Sequence, residues 1–214
     1  MPQVWLIRHG QSEANAGMRS SSAAGIPLTA LGVQQAQAVA RRFDRAPARI
    51  IHSPYTRAGQ TSEPTRARFP AVEIACRPVE EFTYLAPVHC RDTTSAERLP
   101  LAQAYWARSD PDFVDGEGVE SFRMFIARVD AALAWLRGQE GLVPVFTHGQ
   151  FVQACLWRLG GAQPIDAAQM SAFRALAHQV PVPNAAVLEL WLDATTSRVG
   201  ALCTDHLGAL ALTY

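Results

Sequence analysis

The chain has 214 residues, 49% hydrophobic and 18% charged, and its 19 basic and 19 acidic residues give a formal net charge of +0. That balance predicts one globular domain with a sizeable core, and it excludes a disordered chain or a nucleic-acid or membrane partner held by bulk electrostatics. All 19 basic residues are arginine, which excludes a Walker A lysine, a Schiff base and pyridoxal attachment.

Val4 to Ile7 is a continuous apolar run, as expected of a strand buried on both faces. It stops at Arg8-His9-Gly10, and the carboxyl end of a strand is where α/β sheets bind ligands. Ser20 to Gly25 is small and polar, hence loop. Thr29 reads as an N-cap, with Leu28 and Val33 as a hydrophobic staple and Val33, Ala36, Ala40 and Phe43 as the inner face of the helix. Arg49 to His52 is a second strand, stopped by Ser53-Pro54, and Thr56 to Ala67 the next helix. Ile74 marks a third strand.

Residues 82–118 are irregular, with a helix over Ala96 to Arg108, and form a segment expected to cover the substrate. Phe122, Ile126, Val129, Leu133 and Leu136 recur at helical spacing. Val143 to Phe146 is a strand and Gly149 to Leu159 a helix. Ala186 to Leu192 and Arg198 to Cys203 are closing strands. Pro144 cannot donate to a ladder, so it is expected at the first residue of its strand. The alternation predicts a three-layer αβα fold, a mainly parallel sheet with helices on both faces.

Three strand ends deliver chemistry. The first gives Arg8 and His9, the second Ser53 and then Arg57, the third Thr147-His148-Gly149. If these strands are neighbours, two guanidinium groups and two imidazoles meet in one crevice. Arginine matches phosphate oxygens with bidentate hydrogen bonds at any working pH. The helices opening near Thr56 and after His148 aim free N–H groups at the same place.

The ordered set LIRHGQSEAN (Leu6 to Asn15), PLTALGVQQA (Pro27 to Ala36), SPYTRAGQT (Ser53 to Thr61), GVESF (Gly118 to Phe122) and THG (Thr147 to Gly149) resembles the histidine phosphatase superfamily, phosphoglycerate mutase-like, branch 1. Asn184 and Asp205-His206-Leu207 extend the likeness. The resemblance implies that His9 is the nucleophile and carries the phosphoryl group. Arg8, Arg57 and His148 would bind its oxygens, joined by Asn15 and the Gln150 backbone N–H, with a turn or helix cap as the competing role for Asn15. It further implies an acid within Arg77 to Phe82, with Glu81 favoured and Glu80 the alternative. It also implies no metal, no cofactor, and a small phosphorylated substrate as partner.

Where many relatives carry a glycine-tryptophan-glutamate-glycine segment, this chain has Phe82-Thr83-Tyr84-Leu85-Ala86-Pro87, so the substrate wall does not transfer. His89, Arg91 and Arg98 could reach a second anionic group or simply be a solvated loop. Asp110, Asp112, Asp115, Glu117 and Glu120 lack a compensating base in sequence and read as an exposed turn and helix start. Phe82, Tyr84, Tyr105, Trp106 and Phe113 read as core.

The four cysteines form no CxxC pair and read as reduced, buried thiols. No leader or long apolar segment is evident, so a cytoplasmic protein is expected, and the alanine- and arginine-rich composition suggests a bacterial one. The leading expectation is a metal-independent phosphatase acting on a small phosphomonoester. The alternatives are a phosphoglycerate mutase, whose basic, proline-bearing insert is missing here, and a catalytically silent phospho-ligand module. A homodimer is compatible with the sequence.

Overall fold

A computed structural model describes residues 1–20, 22–161 and 163–214. Ser21, inside the predicted Ser20–Gly25 loop, lies outside the described residues. β1 (Gln3–Arg8) sits mid-sheet, parallel to β4 (Leu142–Thr147) on one side and antiparallel to β5 (Val187–Leu192) on the other. β2 (Ile50–His52) pairs parallel with β4 and with β3 (Ile74–Cys76), while β6 (Ser197–Cys203) pairs antiparallel with β5. The order is β3-β2-β4-β1-β5-β6. The sheet is therefore mixed, with its parallel pairings in the half that carries the predicted site.

Period-two alternation divides the core. Val4, Leu6, Ile51, Val143 and Val145 face one cluster; Trp5, Ile7, Ile50, Leu142 and Phe146 face another. The first is covered by α5 (Phe122–Arg137), α6 (Gly149–Leu159) and α7 (Ala167–Gln179), whose Phe125, Phe151 and Phe173 are fully buried. Phe82 stacks on Phe125 at 4.6 Å and 15°, and Tyr84, Tyr105, Trp106 and Phe113 join the same aromatic cluster, as predicted. The second cluster packs under α1 (Ala30–Arg41) and α2 (Thr56–Arg68). The predicted 96–108 helix is α4 (Ser95–Ala107), started by a Thr94–Glu97 capping box and preceded by the short α3 (Pro87–Cys90).

Several expectations are corrected. Pro144 is the third residue of β4. Leu142 and Phe146 both turn their carbonyls toward β2, so position 144 faces β2 as well. The β2–β4 ladder begins only at Ile51–Val145, so the missing N–H falls just outside it. Thr29 caps α1 as expected, accepting the Gly32 N–H, but Val33 is 44% exposed. Ala36, Ala40 and Phe43 are buried as expected, joined by Gly32, Gln35, Ala38 and Val39. Helix α7 had no sequence forecast, because Met170 and Phe173 are its only buried residues. Of the cysteines only Cys155 is buried, and Cys76 is exposed.

Candidate active site

The carboxyl ends of β1, β2 and β4 bring Arg8, His9, Ser53 and His148 together, and Arg57 enters from the first turn of α2. His9 is buried. Its Nδ1 lies 2.7 Å from the Gly10 carbonyl, which only an Nδ1–H can satisfy, and its Nε2 accepts from Arg57 Nε at 3.0 Å. One tautomer fits both contacts, with the lone pair on Nε2. Burial first, then the charges of Arg57 and Arg8, hold the His9 pKa well below its ordinary value. The ring is neutral at physiological pH.

Gly10 is dictated by close approach. A Cβ there would stand 2.4 Å from the Gly32 carbonyl oxygen, and one on Gly32 would stand 2.1 Å from that of Gln11. The glycines of RHG and PLTALG thus let the nucleophile loop lie directly on the first turn of α1.

His148 is fully buried, with its ring 5.1 Å from that of His9. Ser53 Oγ accepts the Tyr55 N–H and lies 2.8 Å from His148 Nε2, a contact in which either the hydroxyl or the ring can be the donor. Among the described residues His148 Nδ1 and Arg8 Nε are buried without a partner, and the Arg8 Nε–H is a donor open to an anion. The pKa of His148 is also held well below its ordinary value, by burial and then by Arg57. Burial lowers Arg8 to about 10, so it remains cationic at neutral pH; its Nη1 donates to the Val182 carbonyl. Arg57 donates from Nη1 to the Ala23 carbonyl at 2.6 Å and lies over the Tyr55 ring at 4.9 Å.

The two candidate acids part company. Glu81 lines the same cavity as His9 and both arginines, and its Oε1 accepts the N–H groups of Gln150 (3.0 Å) and Phe82 (3.2 Å). Burial raises its pKa against the opposing pull of Arg57 and Arg8. Glu80 turns toward Arg128, 3.8 Å away. The buried Thr147 hydroxyl, donating to the Val79 carbonyl, fixes this segment against β4.

Asn15 borders the cavity, but its Oδ1 accepts from Ser12 N and Ser12 Oγ and its Nδ2 donates to the Tyr214 main-chain oxygen, so the turn-capping role is the one its amide fills. The helix-end N–H groups expected to face an anion are engaged: Gln150 N–H by Glu81, Thr56 N–H by the Ala24 carbonyl. The acidic run does have counterions, since Asp112 pairs with Arg123 and Glu120 with Arg128, both from α5. His89 Nε2 lies 3.6 Å from an Asp115 oxygen, and of His89, Arg91 and Arg98 only Arg98 borders the cavity. Among the described residues no three His, Cys, Asp or Glu side chains form a metal-holding group, and no helix is long and apolar enough to cross a membrane.

Sequence reasoning did not single out Thr61, whose Oγ accepts the Gly10 N–H at 3.0 Å and donates to the Arg57 carbonyl. Its position four residues after Arg57, on the same helical face, was the available signal. Asn184 appeared only as part of a likeness; its Nδ2 donates to the His9 carbonyl at 3.1 Å.

A mixed αβα sandwich presenting two neutral histidines, two arginines and a carboxyl group at the ends of parallel strands defines an anion-binding α/β class. Residues 4–192 match the sequence profile of the histidine phosphatase superfamily (branch 1), and the chain belongs to that family. It is 47% identical over 64 residues to the "Probable phosphoglycerate mutase GpmB" of Proteus mirabilis (strain HI4320), covering 29% of this chain and 30% of that protein. The chain thus spans less than a third of the length of that first curated relative. It is 30% identical over 138 residues to the adenosylcobalamin/alpha-ribazole phosphatase of Salmonella typhimurium, covering 60% and 67%. The fold is shared with phosphoserine phosphatase of Entamoeba histolytica, solved with 3-phosphoglyceric acid, at TM-score 0.72 and 21% identity over 97% of this chain and 100% of that one.

Proposed function

We propose that the protein is a metal-independent phosphatase that hydrolyses a small phosphomonoester through a phosphohistidine on His9. The observation that carries this reading is the His9 ring, held by the Gly10 carbonyl with its Nε2 lone pair turned into a cationic cavity. Nε2 attacks phosphorus in line while the bond to the ester oxygen breaks, and protonated Glu81 gives its proton to the departing alkoxide. The incoming phosphoryl oxygens take over Arg57 Nε–H from the imidazole and add Arg8 and His148, donors aimed where charge gathers. Water then attacks the phosphohistidine, Glu81 takes its proton, and phosphate departs. In this reading Asn15 supports the loop, and the Gln150 N–H orients Glu81.

The cavity has a volume of about 320 Å³, at the small end of the roughly 300–1,000 Å³ of small-molecule sites. Residues 82–118 form its cover in this proposal: Ser95, Arg98, Leu99 and Ala102 line it at i, i+3, i+4 and i+7 of α4, alongside Tyr84 and Leu85. Arg98 Nη1 is tied to Thr93 (2.7 and 2.9 Å) and Nη2 to Ser95. This wall therefore favours a leaving group with apolar surface over a second anion. The assignment is to a single-domain enzyme of a bacterial cytoplasm, with no nucleic-acid or membrane partner.

Similarity to the Proteus protein favours phosphoglycerate mutation as the second reading. Steady-state hydrolysis of p-nitrophenyl phosphate and a phosphorylated-metabolite panel, without 2,3-bisphosphoglycerate and in EDTA, separates them. Turnover under these conditions, lost in His9→Ala, is expected. Turnover only with the bisphosphate would establish the mutase, and rescue by added metal would overturn the metal-free mechanism. Binding without turnover would mark a silent module.

A further inference from the structure

Residues 211–214 reach back to the nucleophile loop without touching a reacting group. The Ala211 carbonyl accepts from Gln35 Nε2 at 3.1 Å, and the Thr213 hydroxyl accepts from the same nitrogen at 3.4 Å. That hydroxyl donates to Asn184 Oδ1 at 3.0 Å, while the Thr213 carbonyl accepts the Asn184 N–H at 2.7 Å. The Tyr214 main-chain oxygen accepts from Asn15 Nδ2 at 3.0 Å.

Each of the three amide side chains passes its bond on to the loop. Gln35 Oε1 accepts the Gln11 N–H at 2.8 Å, Asn184 Nδ2 donates to the His9 carbonyl at 3.1 Å, and Asn15 Oδ1 accepts the Ser12 N–H at 3.1 Å. Gln35 and Asn184 are fully buried, and both ends of each amide are engaged. The polarity runs one way. Oxygens on 211 and 213 hold the Gln35 amino group, leaving its oxygen for an N–H of the loop. The Thr213 O–H holds the Asn184 oxygen, leaving its amino group for a carbonyl of the loop. Flipping either amide would set donor against donor or oxygen against oxygen in a dry site. The two peptide groups fixed in this way flank Gly10, whose carbonyl holds His9 Nδ1–H.

We propose that residues 211–214 form a strap which, through Gln35, Asn184 and Asn15, fixes the peptides on either side of Gly10 and so holds His9 in the tautomer with a bare Nε2. Its consequence for turnover rests on His9 being the nucleophile; its consequence for the tautomer does not. Thr213 is thus a positioning residue.

The test is Thr213→Val, a near-isosteric loss of the hydroxyl at a part-exposed position, with Thr213→Ser as the conservative control. Imidazole ¹⁵N shifts report the His9 tautomer, and p-nitrophenyl phosphate reports kcat and KM. In the wild type His9 carries its proton on Nδ1. In the valine variant the expectation is a tautomer mixture and a kcat lower by about 10-fold, the scale of losing a supporting hydrogen bond, with KM little changed and serine restoring both. A valine variant with the wild-type tautomer overturns the strap, whatever its melting temperature. Acid-quenched phosphoenzyme mapped away from His9 in the wild type would instead remove the nucleophile reading, leaving the tautomer result to judge the strap alone.

Discussion

Replacing Gly10 by alanine places a methyl carbon 2.4 Å from the Gly32 carbonyl oxygen, 3.0 Å from its carbon and 3.1 Å from its Cα. All three atoms belong to the first turn of α1, which Thr29 caps while donating its own N–H to Gln11, so no side chain can swing aside. A carbon–oxygen contact relaxes to about 3.3 Å, so loop and helix must separate by roughly 0.9 Å. Overpacking of this kind costs about 1–3 kcal/mol, and a shift near 1 Å in the loop that carries His9 costs on the order of 100-fold in rate. Urea melts and steady-state hydrolysis of p-nitrophenyl phosphate measure the two effects separately. Gly25→Ala, with nothing within 4 Å, is the control and should change neither. A Gly10→Ala enzyme with wild-type kcat and midpoint would refute the close-approach account.

Glu81→Gln should slow phosphorylation of His9 by roughly 10²–10⁴-fold for an alkyl phosphate and by much less for p-nitrophenyl phosphate, whose leaving group needs no proton, as single-turnover kinetics would read. Glu80→Gln should stay near wild type in both assays; the reverse pattern would exchange the two roles. Arg57→Lys loses the planar fork and should cost about 1.5–3 kcal/mol of charged hydrogen bonding, roughly 10- to 150-fold in kcat/KM. His9 and His148 are held neutral in the fold, with pKa values below their unfolded value. The stability they contribute is therefore present above about pH 6.5 and is lost as pH falls toward the folded pKa values, by up to about 1.4 kcal/mol per pH unit for each. Melts of wild type and His9→Gln between pH 7 and 4 should show the shallower acid decline in the variant, and parallel curves would deny His9 this role.

The site was legible where chemistry sits next to a strand end in sequence. Arg8, His9 and His148 could be named because short apolar runs stop at them, Arg57 because it opens the helix after the second such stop, and the parallel half of the sheet brings those stops together. The direction of β5 was not legible, since it is a largely apolar run like β1 and β4, whereas the four residues between β5 and β6 are too few for a parallel crossover and do signal an antiparallel hairpin. Helix α7 escaped because five of its 13 residues are alanine and Met170 and Phe173 are its only buried residues, which leaves a weak apolar periodicity. Unfilled helix-end N–H groups can be counted from sequence, but their partners cannot, so Glu81 on Gln150 and Ala24 on Thr56 were unforeseen. The roles of Thr61, Gln35 and Asn184 depend on contacts spanning 24 to 175 residues, which local patterning does not encode.

β1 comes first among the elements of this structure, yet its two sheet neighbours are residues 142–147 and 187–192. A nascent chain that has emerged only as far as Thr61 already contains His9 and Arg57, but has no scaffold to display them. Assembly must wait for distant pairings, which slows folding through loop-closure entropy. A fragment ending before residue 187 would lack the antiparallel neighbour of the strand that carries Arg8.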